Sequence, residues 1–166
     1  MWQAYYGKER VRLFALLVTT LREQYGYSWA KATIAAFHLA RAATTFAEAR
    51  AEYEQVLPDL ERAYSIAKDW THGQFDPAAV ARTELAWWVA RRTPGQNSIE
   101  NVGGKIADEY ALLYGISRNK VLESALLRAQ AAAIRDHGGQ QTDWQQVAQL
   151  LRDSYRGLHM AISLAR

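Results

Sequence analysis

The sequence predicts an all-α fold, a single-domain helical bundle of about seven helices, and three observations carry that prediction. Apolar residues recur with a period near 3.6 along almost the whole chain. The positions between them are filled by Ala, Leu, Arg, Gln and Glu, which lose little on entering a helix. No segment shows the sustained alternation of β-branched residues that a strand requires. At 166 residues, 49% hydrophobic and 22% charged, the chain is large enough for one self-sufficient core and too apolar for disorder.

The elements follow from their caps. The first helix is expected over 8–25, with Val11, Leu13, Phe14, Leu17, Val18 and Leu21 facing the core and Gly26 ending it in a left-handed conformation. Ser28 caps the second, over 29–43. Thr44 or Thr45 caps a third that reads on to Trp70, with a kink or break near Leu57 because Pro58 interrupts its hydrogen-bond ladder. His72 to Phe75 form a loop. Asp76 before Pro77 is a strong start signal for the fourth helix, over 77–93, since proline gives up nothing by lacking an N–H at that place. Pro94 to Asn97 form a turn, and Ser98 caps the fifth helix, which ends at Gly115. Ser117 caps the sixth, over 118–137. After Gly138 and Gly139, Thr142 with Gln145 reads as a capping box that opens the seventh, over 143–164.

The halves resemble each other. Tyr25, Gly26, Ser28 and Lys31 recur as Tyr114, Gly115, Ser117 and Lys120, and Tyr53, Gln55, Val56, Leu60 and Tyr64 recur as Trp144, Gln146, Val147, Leu151 and Tyr155. The expectation is an internal repeat of 8–70 in 98–164, two similar three-helix units around a central helix at 77–93. The competing reading is that any tight helix hairpin uses glycine for a positive φ and serine as a cap.

Composition narrows the function. There is no Cys, which removes disulfides, thiolate chemistry and Cys-bound metals and is compatible with a reducing cytoplasm. The aromatic start, Met1 to Gly7, and the short apolar run from Leu13 to Leu21 read as neither signal peptide nor membrane anchor. A net charge of +3, with acids interspersed among the bases, gives little reason to expect a polyanionic partner.

The fourth helix is the most unusual segment, because Leu85, Ala86, Trp87, Trp88, Val89 and Ala90 make it apolar nearly all round while Glu84 and Arg91 flank the tryptophans one turn away. A carboxylate in such a place needs a cation or a ligand, and Arg91, Arg92 and Arg128 can supply the cation. Two readings follow. One is a Glu–Arg pair that sets helix register. The other is a cavity walled by Trp87, Trp88, Tyr110 and Tyr114 in which Glu84, Glu109 and Arg128 orient a small ligand. Glu109 continues the row of Val102, Ile106 and Leu113 and so borders the core. Gly103 and Gly104 let a helix or a ligand approach closely.

Other chemistries have weaker support. Residues 107–126 have the shape of a DNA-binding helix-turn-helix, with Ala111, Gly115, Ile116 and Val121 in its packing places and Arg118, Asn119 and Lys120 at the start of a recognition helix. Ser124 and Glu123 sit poorly in that motif, and a plain αα-hairpin uses the same turn chemistry. Glu48, Glu52, Glu54, Asp59 and Glu61 suggest a Mg²⁺-dependent hydrolase of a phosphorylated small molecule, but their spacing is not that of the all-α pyrophosphohydrolases, and a solvated face accounts for them. His38, His72, His137 and His159 stand at no metal-binding spacing, and no nucleophile elbow or phosphate loop occurs. No cofactor and no metal are expected. Trp2, Tyr5, Tyr6, Trp29 and Trp70 fall at helix ends or the terminus, where a homodimer is the commonest way to cover them. The leading expectation is a non-enzymatic helical domain that binds a small ligand or a protein partner near the fourth to sixth helices.

Overall fold

The computed structural model describes residues 10–165. Among them are seven α-helices and no strand: α1 (Arg10–Tyr25), α2 (Trp29–Glu48), α3 (Leu57–Thr71), α4 (Pro77–Arg92), α5 (Ile99–Tyr114), α6 (Arg118–Gly138) and α7 (Trp144–Ser163). Two short 3₁₀ turns, Tyr53–Val56 and Gly139–Gln141, lead into α3 and α7. Among the described residues no helix is long and apolar enough to cross a membrane. Lys8, Trp2, Tyr5, Tyr6 and the side chain of Leu13, all invoked above, lie outside the described residues.

Most caps act as the sequence chemistry requires. The Ser28 and Ser98 hydroxyls accept from the backbone N–H groups of Lys31 and Asn101 at 3.3 and 3.2 Å. The Asp76 carboxylate accepts from Ala78 N–H at 3.1 Å, ahead of Pro77. Gly26 and Gly115 close α1 and α5 at φ of 68° and 64°. Ser117 takes the N-cap position of α6 but makes no side-chain cap bond.

Three expectations are corrected. Thr44 and Thr45 cap nothing, for they lie inside α2, which continues to Glu48; the Thr44 hydroxyl donates back to the carbonyls of Ala40 and Arg41 at 3.0 Å, a bond that threonine makes without leaving the helix. The expected break near Leu57 is present, since α3 starts there after the 3₁₀ turn, but the chain has already left the helix from Ala49 to Glu52, and Pro58 sits in the first turn of α3, where a missing N–H is harmless. At α7 the cap is Asp143, whose carboxylate accepts from Gln145 and Gln146 N–H at 3.0 Å, while the Thr142 hydroxyl turns away to donate to Gly139 O at 2.8 Å. Lastly, Val11 is 84% exposed and does not face the core, whereas Phe14, Leu17, Val18 and Leu21 do.

The chain divides into two compact units, one ending at Ala81 and the other beginning at Arg82, a boundary inside α4. In the first unit α2 packs against both α1 and α3. Its core holds Val18, Leu21, Tyr27, Ala32, Ala35 and Ala36, with Ile66 and Trp70 packed against them. Alanine on α2 keeps the helices close.

In the second unit α6 takes the middle place between α5 and α7. Its core is Trp87, Ala90, Val102, Ile106, Ala107, Tyr110, Val121, Ala125, Ala129 and Leu158. The tryptophan end of α4 therefore belongs to the second core. Close contacts explain the small residues: a Cβ on Gly103 would lie 2.7 Å from Leu126 Cδ2 and 3.1 Å from Leu126 Cα, and one on Gly157 would lie 2.6 Å from Ser124 Oγ. The approach at Gly103 is by a helix. The likeness of the halves extends to the two positive-φ glycines and to buried Val56 and Val147; beyond that Val56 ends a 3₁₀ turn where Val147 is α-helical, and Leu60 is fully buried where Leu151 is half-buried.

Candidate functional site

Two polar side chains of the second unit, Glu109 and Arg128, converge on Trp87. Its indole Nε1–H, on α4, donates to Glu109 Oε2, on α5, at 2.5 Å, and both residues are buried. Next to Glu109, the Tyr110 hydroxyl accepts from Arg128 Nη1, on α6, at 3.0 Å. The Arg128 guanidinium carbon stands 4.9 Å from the centre of the Trp87 ring and 5.7 Å from that of Tyr110, so two π faces meet one cation. Each such contact is worth about 2 kcal/mol when water is excluded.

Electrostatics fix the charge state of the cluster. Burial pushes the Tyr110 phenol above its usual range, with Arg128 pulling the other way and Tyr155 and Glu109 adding to the rise. Burial also works against the charged form of Arg128, yet the attraction of Tyr110, Tyr155 and Glu109 holds the guanidinium well above its ordinary value. A charged guanidinium therefore lies against a neutral phenol at neutral pH. Among the described residues Arg128 forms no ion pair within 4 Å, and its Nε is sealed from water without a hydrogen-bond partner. Such a group costs stability unless something else uses it.

No known protein family, curated protein or solved structure matches this chain. The site is therefore judged on its residues.

The predicted residues Trp87, Glu109, Tyr110 and Arg128 come together. Trp88 is half-buried, edge-on to Trp87 at 6.1 Å, and packs on the core with Tyr114, so these rings fill space. Glu84 is buried and engaged with other groups of the chain. Arg91 makes a bidentate pair with Asp136, Nε to Oδ2 at 3.0 Å and Nη2 to Oδ1 at 2.8 Å, and its guanidinium lies 5.7 Å from the Trp87 ring. A hollow of about 190 Å³ opens beside that pair, floored by Ile99, Val102, Ala129 and Ala133 and edged by Asn97 and His137.

The helix-turn-helix candidates are arranged differently. Arg118, Asn119 and Lys120 are exposed on the first turn of α6, and Arg118 Nε donates to Asp108 Oδ1 at 2.7 Å. The two helices remain in contact from the Gly115 turn back to Gly103 and Leu126. Helices of a helix-turn-helix cross at about 90–120° and part sooner, whereas a plain hairpin makes this extended contact.

Sequence reasoning missed one cluster. Asp59, expected on a solvated acidic face, is buried in the first turn of α3 and held by α2: Arg41 donates to it through Nε and Nη2, both at 2.5 Å, and His38 Nδ1 lies 2.7 Å from Oδ1. Burial alone would raise the Asp59 pKa, but the hydrogen bonds from Arg41 and His38 outweigh it and hold the carboxyl below its usual range. The available signal was His38 and Arg41 three residues apart on one helix face, with an acid directly after Pro58. Among the described residues no three His, Asp or Glu side chains are grouped to hold a metal.

Proposed function

We propose that this chain is a non-enzymatic helical domain that binds a small ligand among α4, α5 and α6 of its second unit. The observation that carries the reading is the Arg128 guanidinium, buried against Trp87 and Tyr110 with donors that the protein leaves unused. The charge itself is held by Tyr110, Tyr155 and Glu109, but a sealed N–H without an acceptor is a cost that a core selected only for stability would avoid. Retaining it makes sense where a ligand completes it. The cysteine-free composition favours a cytoplasmic setting for such a domain. Trp29, Ile34 and Phe37, exposed on α2, favour a homodimer.

The test uses the indole N–H resonance of Trp87 as reporter in a fragment screen by ¹⁵N-resolved NMR. Fragments are expected to shift that resonance in the wild type and not in Arg128→Met, with both proteins equally helical by circular dichroism. The reading is overturned if no fragment shifts it, or if hits bind Arg128→Met equally well.

A further inference from the structure

Three arginines of this chain show the same fork in different states. A guanidinium presents Nε–H and one Nη2–H side by side, an edge that matches the two oxygens of a carboxylate. Arg41 spends that edge on Asp59, and Arg91 spends it on Asp136. Arg128 spends only Nη1, on Tyr110, leaving the Nε and Nη2 edge without an acceptor. Nε is sealed from water, while Nη2 is not among the sealed atoms and the residue as a whole is half-buried. The edge is therefore open at one end. Arg22 also has a sealed Nε without a partner, but its guanidinium lies 3.7 Å from the ring centre of Trp29, a side chain 63% exposed to water. Among the described residues, it is at Arg128 that the vacant edge belongs to a cation set against two buried rings.

We infer that the ligand of this site is a small organic monocarboxylate held side-on by Nε and Nη2 of Arg128, an inference that rests on the ligand-binding reading above and names its substrate class. A carboxylate supplies the two coplanar acceptors that the fork lacks and gives the sealed Nε–H a charge-assisted partner. A dianion such as a phosphate monoester fits less well, because Glu109 is close enough to act electrostatically on both Tyr110 and Arg128 and repels a second negative charge. Neutral amides offer one acceptor where two are wanted. The rings of Trp87 and Tyr110 already face the cation, so the apolar body of the ligand extends away from them. Tyr155 is half-exposed on α7 and acts electrostatically on both Arg128 and Tyr110.

The experiment follows the arginine Nε–Hε resonances of the full chain, with that of Arg128 assigned from its loss in Arg128→Lys, during titration with benzoate, 3-phenylpropionate and octanoate and with benzamide and phenylphosphonate as controls. At least one carboxylate should move the Arg128 Hε resonance downfield, as a charge-assisted bond does. Its affinity should fall about tenfold or more in Arg128→Lys, which keeps the charge and loses the fork. Tighter binding of phenylphosphonate or benzamide than of every carboxylate overturns the assignment of class and leaves ligand binding standing. If no compound moves Hε while fragments still shift the Trp87 indole, the fork is not the anchor. If neither resonance responds, both readings fall.

Discussion

Asp59 shows at the scale of one residue how burial and partners compete. Desolvation alone would raise its pKa, yet the hydrogen bonds from Arg41 and His38 outweigh it, so the pKa in the folded chain is depressed. The stability it supplies is fully present above the unfolded value, near pH 4, and is lost as pH falls below that toward the folded value. Asp59→Asn should cost about 2 kcal/mol at pH 7, because Arg41 and His38 lose an ionised acceptor. Urea denaturation at pH 7, 4 and 3 checks this, and the gap between wild type and variant must narrow as the acid limb is descended. Caps offer a second contrast. Asp143→Ala should lose about 1 kcal/mol, since two N–H groups bond to that carboxylate, whereas Ser117→Ala, with no cap bond to lose, should change stability by only a few tenths. Equal losses in chemical denaturation would contradict the geometry.

Helix elements raise a different question, namely where glycine in a helix is a defect and where it is a requirement. In isolation each Gly→Ala change should stabilise a helix by about 1 kcal/mol. At Gly103 the new methyl would press on the backbone of Leu126 as well as its side chain, so α5 and α6 must part, and the expected result is a net loss of about 1–2 kcal/mol. At Gly157 the obstacle is only the hydroxyl of Ser124. Gly157→Ala should therefore be destabilising alone and recover the propensity gain when combined with Ser124→Ala. Thermal melts of the two single variants and the double variant measure that coupling. An additive double variant would mean that α6 and α7 do not approach closely there. Ser124, an awkward residue for a helix-turn-helix, is explained by this packing, as is Ser154, fully buried with its hydroxyl bonded to the Ser124 carbonyl at 2.7 Å.

On the scale of the molecule, the two compact units, each with a middle helix packed on both sequence neighbours, predict that residues 77–166 fold alone. That fragment, which keeps α4 whole, should show a helical circular dichroism spectrum and a cooperative melt, with blue-shifted emission from buried Trp87. A fragment without a cooperative transition would show that the second core depends on the first unit. Association belongs to this scale as well. If the exposed aromatics of α2 mediate a homodimer, sedimentation equilibrium should give twice the chain mass for the wild type and one chain mass for Phe37→Glu.

The helices were legible because each is specified locally: period, capping oxygen and positive-φ glycine are properties of neighbouring residues, and of the six starts for which a cap was expected five fall within a residue or two of it, α3 being the exception. Thr44 misled because a hydroxyl has the same composition inside a helix as before it, and only its hydrogen bonds tell the two apart. Trp87, Glu109, Tyr110 and Arg128 could be nominated from their spacing, but not paired, since 22 positions separate Trp87 from its acceptor. Pairing is set by how helices pack. That packing gave Glu109 to an indole and Asp59 to a histidine and an arginine, and it left the Nε of Arg128 without an acceptor.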